Sequence, residues 1–96
     1  MSFTTDELLS WASRHEADDW ATLKARVPFR YHVTSSSIQY IPSSGSLRNV
    51  PRRELDSFCR EFQEVGSFAP GKYPHRWHKS YSLALVYRFL QERQSA

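Results

Sequence analysis

A single cysteine, Cys59, is all the sequence contains, which excludes an intramolecular disulfide and makes a reducing cytosol the default setting. Glycine is scarce, with three residues, while 40% of the chain is apolar; together these exclude a disordered or linker-like chain. The densest apolar run, Tyr81 to Leu90, is too short to span a bilayer and is broken by Arg88, so no membrane partner is expected. The opening, Met1 to Glu7, has neither the basic nor the apolar region of a secretion signal, and a cytoplasmic location follows as the expectation. Paired cysteines, an HExxH and nucleophile-elbow glycines are all missing, so no catalytic residue, metal or cofactor is predicted. His75 and His78 have a spacing that can bind a metal on a helical turn, with His15, His32 and Cys59 as the only other candidate ligands; Cys59 falls in an apolar stripe and reads as an inert core thiol.

What the chain has in quantity is aromatic bulk, 15% of its 96 residues, enough for a modest single-domain core. In Tyr81-Ser82-Leu83-Ala84-Leu85-Val86-Tyr87-Arg88-Phe89-Leu90 the apolar residues fall on nearly every side of a helical projection, the mark of a helix packed on several faces. The upstream segments read as its cover. Thr4 and Glu7 have capping-box spacing and predict a helix over about Thr5–Arg14; Asp18–Lys24 reads as a second short helix. Phe29, Tyr31 and Val33 alternate, as do Ile38 and Tyr40, and Leu47–Val50 gives a third, imperfect strand. Leu55, Phe58, Cys59, Phe62 and Val65 recur at steps of three and four in an amphipathic helix that Gly66 stops, with Asp56 and Arg60 as an outward i,i+4 pair. The connection from Gly66 to Lys79 is long and needs pinning, for which Phe68, Tyr73 and Trp77 are available, and Ser80 can cap the last helix. The predicted fold is one α+β domain over residues 1–96: a helical N-terminal part, a three-stranded antiparallel meander, an amphipathic helix, a long loop and a buried C-terminal helix.

The order of these features from Pro28 to Leu90 resembles that of uncharacterised small bacterial proteins of the mobile gene-cassette kind. The residues carrying it are Pro28–Val33, Ile38–Gly45, Arg48-Asn49-Val50, Leu55 and Ser80–Ala84. The resemblance implies a small α+β domain and brings no assigned activity.

Charge is laid out in blocks. Residues 1–23 carry five acids against Arg14, a net of −4, and residues 54–64 a net of −3. Between them, residues 24–53 hold Lys24, Arg26, Arg30, Arg48, Arg52 and Arg53 with no acid at all, and residues 65–96 carry a net of +4. Such segregation suits a binding face for an anionic partner; equally, acidic helices can lie over basic strands and neutralise them internally. Arg48, Arg52 and Arg53 lead into a helix N-terminus, where free N–H groups favour anions. Arg52 has a local alternative in Asp56, one turn on. Lys72, Tyr73, Arg76, Trp77 and Lys79 interleave cations with aromatics, the composition of a single-strand or RNA-binding surface, or else of a loop whose rings pack inward. The leading expectation is a non-enzymatic binding module for nucleic acid, with these cations gathered on one flank. The alternative is a protein-interaction or homodimer module with internally neutralised basic blocks, whose second copy can pair at a sheet edge.

Overall fold

The structure is a computed structural model, and it describes residues 2–95. Helix α1 spans Thr5–Ser13, and its capping box is complete: the Thr4 hydroxyl accepts the Glu7 N–H at 3.1 Å, and Glu7 Oε1 accepts the Thr4 N–H at 2.8 Å. Four strands follow, β1 Trp20–Ala21, β2 Pro28–Val33, β3 Ser37–Pro42 and β4 Arg48–Pro51, forming one antiparallel sheet in sequence order. Then come α2, Arg52–Val65, a turn of 3-10 helix at Pro70–Lys72, and α3, Lys79–Ser95.

The α+β class is as read from the sequence, but the meander has four strands, because Asp18–Lys24 is not a helix. Seven residues are too few to sustain one without help. Here Trp20 is held by tertiary contacts instead. Its indole donates to the His15 carbonyl at 2.9 Å and meets the Trp11 ring edge-on at 5.9 Å, and its backbone pairs with Phe29. Thr22 then closes the turn to β2, bonding Val27 through both backbone and hydroxyl, with Arg26 in the left-handed region at φ 58°.

The period-two pattern sets the two faces of the sheet. Phe29, Tyr31, Ile38, Tyr40 and Val50 are buried beneath the helices, while Arg30, His32 and Asn49 point to the open side. Leu47 falls before β4 and is exposed, which resolves its mismatched parity with Val50. Helix α2 buries Leu55, Phe58, Cys59 and Phe62; Val65, at its end, is 44% exposed. Gly66 ends the helix at φ 71°, a conformation only glycine adopts without strain. Pro51 stands at the N-cap of α2.

Helix α3 is the centre of the core. Five consecutive residues, Ser82 to Val86, are buried, which requires neighbours on every side. The Tyr81 ring stacks on Tyr40 from the sheet at 5.1 Å, and Phe89 meets Phe3 and Trp11 from the N-terminal part. The helix starts at Lys79, ahead of Ser80, and the His78 carbonyl accepts the Ser82 N–H. The 66–78 connection is pinned by Phe68, packed between Phe62 and Tyr87, and by Tyr73, fully buried with its hydroxyl donating to the Ser67 carbonyl at 2.7 Å.

Both sheet margins are blunted. β1 has two residues, and beyond it the carboxylate of Glu16 accepts the Val33 N–H at 2.9 Å while also meeting His32. β4 has four, ending in Pro51, which lacks an N–H.

Candidate functional site

Three of the side chains singled out by the sequence serve the fold. Arg76 lies across α2 with its side chain 16% exposed. Nη1 donates to Glu54 at 2.7 Å, Nε to Glu61 at 3.0 Å and Nη2 to Ser57 at 2.8 Å. Tyr73 is fully buried and offers no ring face. Arg52 pairs with Asp6 of α1, and its Nε lies 3.6 Å from Asp56. The Arg76 seat had a readable signal: Glu54, Ser57 and Glu61 recur at steps of three and four, a polar stripe beside the apolar one. Arg52–Asp6 had none, since the partners meet only through tertiary packing.

Of the remaining five, Arg48, Arg53, Lys72 and Trp77 are exposed and Lys79 is half-buried. Arg48 lies 4.2 Å over the ring of Trp77, which is itself 42% exposed, and Arg53, Lys72 and Lys79 pair with no carboxylate among the described residues. Arg60 joins them. The sequence assigned it to Asp56, but that carboxylate turns to Arg52, and Arg60 is left exposed. Arg53 and Arg60 border a depression of about 710 Å³ with Ser36, Pro51, Arg52, Glu54 and Ser57, at the uncapped first turn of α2. Glu54 ties this depression to Trp77. Its Oε2 accepts from both Arg76 and His78, the residues on either side of that tryptophan, so the Arg48–Trp77 stack and the arginine-lined depression share one flank. Lys24, Arg26 and Arg30 lie elsewhere, on the β1–β2 turn and the open sheet face, so the basic side chains do not all gather on that flank.

Behind the flank runs a buried polar chain that the sequence did not announce. Tyr40 Oη and Ser82 Oγ are 2.8 Å apart, Ser82 Oγ and His78 Nδ1 2.8 Å, and His78 Nε2 and Glu54 Oε2 2.9 Å. The Ser–His–Glu order matches a hydrolase triad, but Ser82 and His78 are completely enclosed and Ser82 is bonded on both sides, so no substrate carbonyl can reach its oxygen. Burial pushes the His78 pKa below its ordinary value, with Glu54 opposing. For Glu54 burial acts upward, but the bonds from Arg76 and His78 outweigh it and hold its pKa down.

Cys59 is buried, and burial raises its thiol to about 11, so it is not a nucleophile. His75 is exposed while His78 has both ring nitrogens engaged; among the described residues no three His, Cys, Asp or Glu side chains converge as metal ligands. Arg88 is also internal, over Trp20 at 4.2 Å and bonded to Asp18 at 2.8 Å, whose pKa is lowered first by His15 and then by Arg88. No described helix is long and apolar enough to cross a membrane. No protein-family model, curated protein or solved structure matches the chain.

Proposed function

We propose that this protein is a non-enzymatic binding module for an anionic partner, with nucleic acid as the partner class. One observation carries the reading. Asp6 and Asp56 are engaged by Arg52, and Glu54 and Glu61 by Arg76, while Arg53 and Arg60 have no ion-pair partner among the described residues and border an open depression beside the first turn of α2. Phosphate oxygens complement that arrangement: N–H groups, guanidinium groups and the Ser57 hydroxyl all donate. Trp77, backed by Arg48, adds an aromatic surface for a base.

The test is binding of fluorescent single-stranded oligonucleotides at two salt concentrations. Affinity should fall with salt, and Arg53→Glu with Arg60→Glu should lower it at least tenfold and reduce the log–log slope by about 0.7 for each phosphate no longer neutralised. The same reversal at Lys24 and Arg26 should leave affinity nearly unchanged. Affinity indifferent to salt, or to the Arg53 and Arg60 reversal, overturns the proposal.

A second reading, a protein-interaction or homodimer module, draws on a different place. The open sheet face carries a groove of about 610 Å³ whose floor includes Ala21, Pro28, Ile41 and Pro42, with Arg30 beside it. A mass that rises with concentration in light scattering and drops in Ile41→Asp favours this reading; a strict monomer removes the homodimer.

A further inference from the structure

The chain Tyr40–Ser82–His78–Glu54 has a property that follows from counting protons. It contains three links between heavy atoms. Glu54 is a carboxylate bonded by Arg76, so it only accepts, and His78 Nε2 must carry the hydrogen between them. The opposite neutral tautomer would aim a bare ring lone pair at that carboxylate. Nδ1 is therefore an acceptor, Ser82 donates to it, and Tyr40 donates to Ser82. Three hydrogens fill three links, and every group is satisfied.

A second proton on His78 breaks this balance. Nδ1 then donates to Ser82, and Ser82 can turn its hydrogen only toward Tyr40. Four hydrogens now compete for three links, so one O–H is left without an acceptor. Tyr40 and Ser82 are both fully enclosed, and no water reaches them to accept it. Glu54 favours the imidazolium, but Arg76, bonded to the same carboxylate oxygen, opposes it. Two aromatic rings also pack against His78, Phe58 from α2 and Trp77 from the connection, and neither titrates. Tyr40 lies one step further, on β3.

We propose that this chain is a proton-counting latch. It holds the 66–78 connection and the start of α3 against β3 and α2 while His78 is neutral, and it releases them when His78 gains a second proton in mild acid. The released segment contains Arg76 and Trp77, so the latch governs the geometry of the open basic flank whatever that flank binds.

A histidine whose folded pKa lies below its unfolded value near 6.5 contributes stability that is full above that value and lost as pH falls beneath it. Amide exchange of residues 66–78, corrected for intrinsic rates, should therefore accelerate in the wild type by roughly tenfold per pH unit below about 6.5, until the folded pKa is reached. His78→Gln, which keeps a donor toward Glu54 and cannot take a proton, should remove that dependence and leave the slope at residues 5–13 unchanged. Nitrogen-15 spectra of the wild-type imidazole supply a readout independent of any variant: Nε2–H at neutral pH and titration below 6.5. An Nδ1–H tautomer, an ordinary titration near 6.5, or exchange of 66–78 that ignores pH overturns the proposal.

Discussion

Arg53 precedes Glu54 in α2 and Arg76 is bonded to it, yet the two arginines could hardly be placed more differently. Arg76 is mostly buried, with Glu54, Glu61 and Ser57 each bound to a different nitrogen. Arg53 is exposed, with no carboxylate paired to it among the described residues, although it follows Arg52, which is paired. Both belong to stretches that are basic in the sequence. The difference teaches that a charge block has no single role: three of the four acids of α2, Glu54, Asp56 and Glu61, are turned toward one arginine from the connection and one from α2 itself, and Arg53 and Arg60 are left exposed.

That contrast breaks first at Arg76. Replacing it with alanine leaves Glu54 and Glu61 partly buried without their cation, and urea unfolding should register a loss of about 2–3 kcal/mol, below the full cost for a completely buried pair because both carboxylates are part-exposed. Ser82→Ala comes next. It strands the Tyr40 hydroxyl and the His78 Nδ1 in the core, and a loss of about 1–2 kcal/mol is expected by the same measurement. Acid sharpens the comparison further. The Glu54 carboxyl has a folded pKa below its unfolded value near 4.5, so its contribution is complete above that value and disappears as pH falls through the folded one. Stability measured between pH 6 and pH 3 should accordingly fall less steeply in Arg76→Ala than in the wild type. The smallest effect is at Arg53, where alanine should raise stability by a few tenths of a kcal/mol, since a cation in the first turn opposes the helix dipole. A clear loss there would mean that Arg53 is as embedded as Arg76.

Local pattern explains which parts of the fold were readable. Thr4 and Glu7 encode the start of α1 by their spacing, alternation encodes Phe29–Tyr31 and Ile38–Tyr40, and the step of three and four encodes α2. Each is a rule about neighbours a few residues apart. Trp20 escaped because its conformation is decided by Trp11, His15 and Phe29, not by its own neighbourhood. The candidate flank was legible as a set of cations and opaque as an arrangement. Composition names Arg48, Arg52, Arg53 and Arg76 alike, yet only packing decides that Asp6 reaches Arg52, that Asp56 abandons Arg60, and that Arg48 settles on Trp77. The Tyr40–Ser82–His78 chain joins residues 42 apart and could not be read in advance.

The plug that Glu16 forms against Val33 reaches beyond the single molecule. With that carboxylate on one rim and a prolyl nitrogen on the other, each rim offers an incoming strand one backbone donor fewer. Backbone zippering between copies, the route by which fibrils grow, is thereby disfavoured at both rims.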